Sequence, residues 1–256
     1  MLVKAMWNIL EFEELASTNT LASEMLARGE ARHGDVIQAH HQSGGRGRTA
    51  GRVWNDEPGA SLLMSVVLTK IPEPANLLQY RVALAVLEAL RQIARTNNKS
   101  ENDFRLKWPN DILLNGKKVC GILLEAQWNS SVMRSAVVGI GFNVRQSAFP
   151  EELDAIATSL LLNGMHIPVN EVRDAVLEQL KQEIEKGDND IISRLRSELA
   201  WMKELPSLEW SGSDGENLTN IRYMDIDENG ALRLEQSDGS IVIRHNGSLV
   251  IGSSHR

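Results

Sequence analysis

Residues 42–54, QSGGRGRTAGRVW, combine four glycines (Gly44, Gly45, Gly47, Gly51) with three arginines (Arg46, Arg48, Arg52) and no acid, in a chain of net charge -7. Glycine lets a backbone come close to a ligand. Guanidinium forks suit carboxylate and phosphate oxygens. The expected chemistry is a flexible loop that closes on an anion. A solvated surface loop with scattered charge is the other reading. The spacing fits neither the G-x-x-x-x-G-K-[ST] loop nor G-x-G-x-x-G ahead of a helix.

Lys107 ends the strand-like run FRLK beside Trp108-Pro109. On a buried face it would need an anionic partner; on an edge strand it would be solvated. Asn110 and Asp111 follow the proline. Both residue types make turns. Both also suit a nucleotide site, where magnesium takes one or two carboxylates plus phosphate oxygens. Gly139 and Gly141 flank Ile140 in an apolar run, and glycine within a strand often marks a bulge or the close approach of a ligand. Asn143 falls on the same face as Gly141. Ser17-Thr18-Asn19 offers helix-capping chemistry. His33, His40, His41 and the single Cys120 make no metal-ligand spacing, so no structural metal is expected. No G-x-S-x-G element or Cys/His dyad is present.

These residues need elements to hold them. Residues 5–12 and 35–41 read as strands, with a helix after Asn19 carrying Leu21, Ala22, Met25 and Leu26 on one face. SLLMSVVLT, 61–69, is a nearly continuous apolar run and reads as a buried strand. Over 74–97, Leu78, Val82, Ala85, Ala89 and Ile93 recur at helical spacing. Residues 104–126 predict a strand, a break at Pro109 and a hairpin turning at Asn115-Gly116. Another strand covers 135–144. Helices are expected over 171–186 and 189–204. Beyond Pro206, short strand-like runs alternate with Gly-containing turns at intervals of about ten residues. The expected architecture is α+β: a mixed or antiparallel sheet backed by helices over 1–205, and a small β unit over 206–256. That unit has roughly 50 residues, too few for much independent stability.

At 256 residues with 42% hydrophobic side chains, the chain supports a substantial core. Its acidic balance argues against broad DNA binding. A single cysteine and an N-terminus without a signal-peptide pattern fit a cytoplasmic protein. No run reaches the ~18 apolar residues of a membrane span.

Four blocks then bear on family. Ser17-Thr18-Asn19, the loop at 42–54, LKWPNDILLNGKKVCGILLE at 106–125 and VGIGFNV at 138–144 resemble, in order, motifs of the biotin protein ligases. FPEELDAIATSL, 149–160, has a similar flavour. The resemblance implies a class II synthetase-like catalytic domain with a C-terminal SH3-like β-barrel. It implies attack of biotin's carboxylate on the α-phosphate of ATP, with Mg2+, giving biotinyl-5'-AMP. Transfer to a lysine of a biotin carboxyl carrier domain would follow. By the same resemblance Ser17, Thr18, Asn19, Gln42, Arg46, Gly47, Arg48, Lys107, Gly121, Gly139 and Gly141 would meet biotin. Arg46, Arg48, Trp54, Lys107, Asn110, Asp111 and Asn143 would meet ATP, with Mg2+ near Asp111. Lys107, Arg46 and Arg48 would be catalytic. Two residues, Thr49-Ala50, separate Arg48 from Gly51 where the family pattern has one, which bears on Arg52. No room is seen for the helix-turn-helix domain of longer members, so no operator binding is expected. Monomer and homodimer fit equally. The rival readings are a lipoate–protein ligase of the same superfamily and a non-catalytic biotin sensor.

Overall fold

The computed structural model describes residues 6–48, 53–186, 190–212 and 215–251. Thr49, Ala50, Gly51 and Arg52 lie outside the described residues. The main element is a seven-stranded sheet in the order β1-β2-β3-β7-β6-β5-β4. Its strands are β1 (Asn8–Leu15), β2 (Asp35–Gln42), β3 (Ser61–Leu68), β4 (Phe104–Lys107), β5 (Asp111–Leu114), β6 (Lys117–Asn129) and β7 (Val132–Asn143). β1 and β2 run parallel, joined by helix α1 (Thr18–Ala27); every other neighbouring pair is antiparallel. The sheet is therefore mixed, as expected. β1 sits about three residues later than the apolar pattern of 5–12 suggested, because its partner ladder starts at Asn8↔Asp35.

Every residue of β3 is buried, which requires cover on both faces. Leu62, Met64 and Val66 join a core with α2 (Leu78–Thr96), α4 (Val169–Glu185) and α5 (Ile191–Leu199). A single turn, α3 (Glu151–Asp154), lies between β7 and α4. Ile37 and Val67 instead join Val137 and Ala22 of α1 in a smaller cluster. Side chains alternate along a strand and directly paired residues share a face. The pairing Lys107–Asp111–Gly121–Gly141–Leu63 is thus one row across the face that α1 partly covers. Leu123, Gly139 and Ser65 form the next row. Beyond α1 this face is open, and there the candidate site lies.

One irregularity decides what the open face presents. Asp111 pairs with Gly121 and Ile112 with Cys120, but Leu113 pairs with Lys118. Val119 is the extra residue of a β-bulge. Strict alternation back from Gly121 would turn Lys118 to the helix side. The bulge turns it to the open face instead.

A second, five-stranded antiparallel sheet has the order β11-β10-β9-β8-β12, with β8 (Leu208–Ser211), β9 (Asn217–Ile226), β10 (Leu232–Glu235), β11 (Ile241–Arg244) and β12 (Ser248–Ile251). The expected barrel is not formed: the sheet stays open. β9 pairs with β8 through its first half and with β10 through its second. β11 and β12 are left at opposite edges, and no ladder among the described residues joins them. β8 was absent from the sequence reading, since LEWS is only four residues long.

Candidate functional site: a glycine-floored cleft with a polar wall and a cationic rim

The cleft is built on the open face. Its polar wall comes from the start of α1 and the end of β2. Ser17 caps α1, accepting from Thr20 N at 3.4 Å. Gln42 Oε1 accepts from Thr18 N at 2.7 Å and lies 3.0 Å from Thr18 Oγ1. Asn19 Nδ2 donates to Glu125 Oε2 at 2.7 Å. Ser17, Thr18 and Asn19 are all buried, so their polar groups are held by these partners rather than by bulk water.

The floor is glycine because larger groups press on it. A Cβ at Gly139 would lie 2.3 Å from Asn19 Oδ1, and one at Gly141 would lie 2.8 Å from Trp54 Cε2. At Gly121 it would meet Lys118 Nζ at 2.9 Å and Trp54 Cζ3 at 3.1 Å. Trp54 therefore spreads across Gly121 and Gly141. Its Nε1 is buried without a hydrogen-bond partner among the described residues.

The rim is cationic. Lys118 Nζ lies 5.6 Å from the centroid of the Trp54 ring and 2.6 Å from Asp111 Oδ1. Arg46 Nη2 donates to Thr20 Oγ1 at 3.1 Å and lies 3.6 Å from Glu125 Oε1. Arg48 donates to Gly247 O and lies 3.3 Å from Ser248 Oγ, so the loop rests on the second sheet. At the loop's far end His41 Nδ1 is 2.9 Å from Asp56 Oδ2. That hydrogen bond raises the His41 pKa above its ordinary 6.5. With the loop down, the free space is about 60 Å3, room for a few waters.

Ser17, Thr18, Asn19, Gln42, Arg46, Gly47, Arg48, Trp54, Asn110, Gly121, Gly139 and Gly141 all line this cleft. Asn110 is locked by donating from Nδ2 to Ile122 O at 2.7 Å. Asp111 reaches the rim through Lys118. Three expected residues, Asp111, Asn143 and Lys107, are not among the lining. Asn143 donates to Thr158 O at 3.0 Å and ties the 149–163 segment to β7. Lys107 shares the cleft face, but on edge strand β4, two strands out from Gly121. The lysine that lines the cleft is Lys118. Sequence reasoning passed over it because alternation points it the wrong way without the bulge; the signal was its place three residues before Gly121. Glu125, which meets both Asn19 and Arg46, was also missed. Among the described residues no group of three or more His, Cys, Asp or Glu side chains could hold a metal ion. No helix among them is long and apolar enough to cross a membrane.

On a helix-backed mixed sheet the cleft thus joins a polar wall, a glycine floor and three rim cations, Arg46, Arg48 and Lys118, groups that can hold an anion. Residues 11–143 match the model of the Biotin/lipoate A/B protein ligase family, and the chain belongs to that family. It is 30% identical over 240 residues to the biotin–[acetyl-CoA-carboxylase] ligase of Mycobacterium tuberculosis, covering 91% of this chain and 86% of that one. Over 155 residues it is 39% identical to the bifunctional ligase/repressor BirA of Bacillus subtilis, covering 60% of this chain and 46% of that protein. The match thus spans about half the length of that relative. Biotin protein ligase from Aquifex aeolicus, solved in complex with biotin and ATP, superposes with a TM-score of 0.76 at 26% identity, covering 96% of this chain and 99% of that one.

Proposed function

We propose that this chain is an ATP-dependent biotin protein ligase of the cytoplasm. It activates biotin as biotinyl-5'-AMP and transfers the acyl group to a lysine of a biotin carboxyl carrier domain. The observation that carries this reading is the cleft's division into two ends. Ser17, Thr18, Asn19 and Gln42 form a polar wall, while Arg46, Arg48 and Lys118 gather at the rim beside Trp54. The wall suits a ring with hydrogen-bonding edges, and the rim suits a carboxylate meeting a phosphate.

In the first step a carboxylate oxygen of biotin attacks the α-phosphorus and pyrophosphate leaves. Lys118 stands at the rim and neutralises charge on the two anions as they meet. Arg48 closes over the phosphate when the loop settles, and Arg46 is held in place by Glu125 and Thr20. Fixed cations in a site shielded from water are worth more than solvated ones. Trp54 separates the two halves of the ligand and helps to shield the mixed anhydride. In the second step the carrier's lysine amine attacks the acyl carbon, loses a proton and displaces AMP. Asp111 is a carboxylate at the rim, 2.6 Å from Lys118. It fits Mg2+ held mainly by phosphate oxygens, which would offset charge on the triphosphate. Lys107, on the same face but farther out, is assigned a supporting role towards the triphosphate. Part of this reading is the division into a catalytic unit, 1–205, and a C-terminal β unit, 206–256. The relative named a biotin–[acetyl-CoA-carboxylase] ligase, alike over 91% of this chain, supports the ligase reading.

Pyrophosphate–ATP exchange with biotin, with lipoate and with neither acid tests the proposal. Exchange with biotin alone is expected. Exchange with lipoate would move the chain to the other branch of its family. Biotin binding without exchange would make it a sensor.

A further inference from the structure

Ser65 lies on β3, fully buried beneath the first turn of α1. It does not line the cleft. Its Oγ is 2.7 Å from Thr18 Oγ1 and 2.6 Å from Asn19 Oδ1. The surrounding amides have fixed orientations. Gln42 accepts from a backbone N–H, so its oxygen faces Thr18. Asn19 Nδ2 faces two acceptors, Glu125 Oε2 at 2.7 Å and Leu123 O at 3.4 Å, so its Oδ1 must be the atom turned to Ser65.

The protons can then be assigned. Ser65 is the only donor to Asn19 Oδ1 among the described residues, and its one proton serves that oxygen or is shared with Thr18. The Thr18 proton has Gln42 Oε1 and Ser65 Oγ within reach. Every arrangement spends both hydroxyl protons inside the network. Thr18 therefore turns a lone pair, not a proton, towards the cleft.

We propose that Ser65 is a positioning residue: it holds Asn19 against Gly139 and fixes Thr18 as a hydrogen-bond acceptor, selecting a ligand whose ring carries N–H donors. This rests on the reading that biotin, with its two ureido N–H groups, is the ligand. Removing the Ser65 hydroxyl leaves Asn19 Oδ1 buried without a donor and leaves the Thr18 hydroxyl held through Gln42 Oε1 alone, at the longer 3.0 Å, so that it turns more freely. Binding suffers while the distant phosphoryl chemistry does not.

The test is pyrophosphate–ATP exchange by the full chain, wild type, S65A and S65T. The acids are biotin and two analogues, each with CH2 in place of one ureido N–H. Biotin-dependent exchange by the wild type establishes the ligand; its absence overturns the ligand assignment and this inference together. S65A is expected to raise KM for biotin about tenfold, the usual effect of one buried hydrogen bond, with kcat changed less than about threefold. For the analogue lacking the N–H that meets Thr18, S65A changes KM little, so discrimination between the two acids shrinks. S65T, which keeps the hydroxyl, restores both. An unchanged biotin KM in S65A overturns the proposal. So does an equal rise for biotin and both analogues, which is what simple loosening of the cleft would give. S65T behaving like S65A, with an unaltered melting temperature, also overturns it.

Discussion

At Val119 one extra residue inverts the side-chain alternation of β6, and Lys118 comes to face Trp54 and Asp111. A cation placed there gains from both neighbours: the carboxylate at 2.6 Å and the face of the indole. On the proposed function, Lys118→Ala lowers the rate of biotin-dependent pyrophosphate exchange by about 100-fold or more, the usual effect of losing one fixed electrostatic group. Lys107→Ala, from the edge strand, lowers it by less than about tenfold. Measuring both variants side by side decides between the two lysines, and an equal or larger loss for Lys107→Ala would reverse the assignment. Arg48 differs, because it donates to Gly247 O beside the second sheet and, on the proposed function, meets the phosphate only as the loop closes. Arg48→Gly is expected to form the adenylate but release more of it, measurable as free biotinyl-AMP by chromatography; unchanged retention would exclude that role. The glycine-arginine run was legible because its residue types state their chemistry directly. Lys118 was not, because a bulge is a property of two strands read together.

At the scale of elements, the loop that carries Arg46, Arg48 and Trp54 is fastened at both ends. Its first end is clasped by Glu125 and Thr20, and its second by His41 and Asp56. Asp56 shapes the second clasp: its Oδ1 is buried without a hydrogen-bond partner among the described residues, so Oδ2 depends on His41. The hydrogen bond to Asp56 raises the His41 pKa above 6.5. The clasp is therefore at full strength below pH 6.5 and is lost as pH rises through the elevated value. The His41 side chain is a third exposed, which keeps the effect small, about twofold to fivefold in loop opening. Amide exchange at residues 53–57, corrected for intrinsic rate, should quicken by that factor across the His41 titration, and His41→Gln should abolish the inflection. A pH profile in the variant identical to wild type would assign the change elsewhere. Strands and helices of the main sheet were legible from period and turn chemistry. Their pairing partners were only partly so: the parallel β1–β2 ladder has no local signature, and neither has the choice between an open sheet and a barrel.

At the scale of the molecule, the two sheets share one apolar core, in which Leu208, Trp210, Tyr223, Leu232 and Leu249 pack with the residues of α2 and the main sheet. The joint is sharpest at Gly230. Its carbonyl accepts from Tyr80 Oη at 2.7 Å and from Trp108 Nε1 at 2.9 Å. Burial pushes the Tyr80 phenol up to about 12, so it remains a donor throughout the working pH range. Trp108 stands two residues before Asn110 and three before Asp111, so the turn at Gly230 braces the segment that forms the cleft's rim. Gly230 itself has φ +79, and an added Cβ would lie 2.2 Å from Tyr80 Cε2. Gly230→Ala must therefore both strain the turn and push Tyr80 aside. We expect a loss of about 2 kcal/mol or more, or a melting temperature lower by roughly 4–8 °C for a chain of this size. Because the core is continuous, calorimetry should show a single transition in wild type and variant alike. Biotin-dependent exchange should fall in Gly230→Ala even at temperatures where it is fully folded, since the strained turn and the displaced Tyr80 shift both acceptors of Trp108, Gly230 O and Tyr80 Oη. Two separate transitions, with exchange unaltered in the folded variant, would mean that the C-terminal sheet is an independent passenger; the shared acceptor at Gly230 argues that it holds the rim in place.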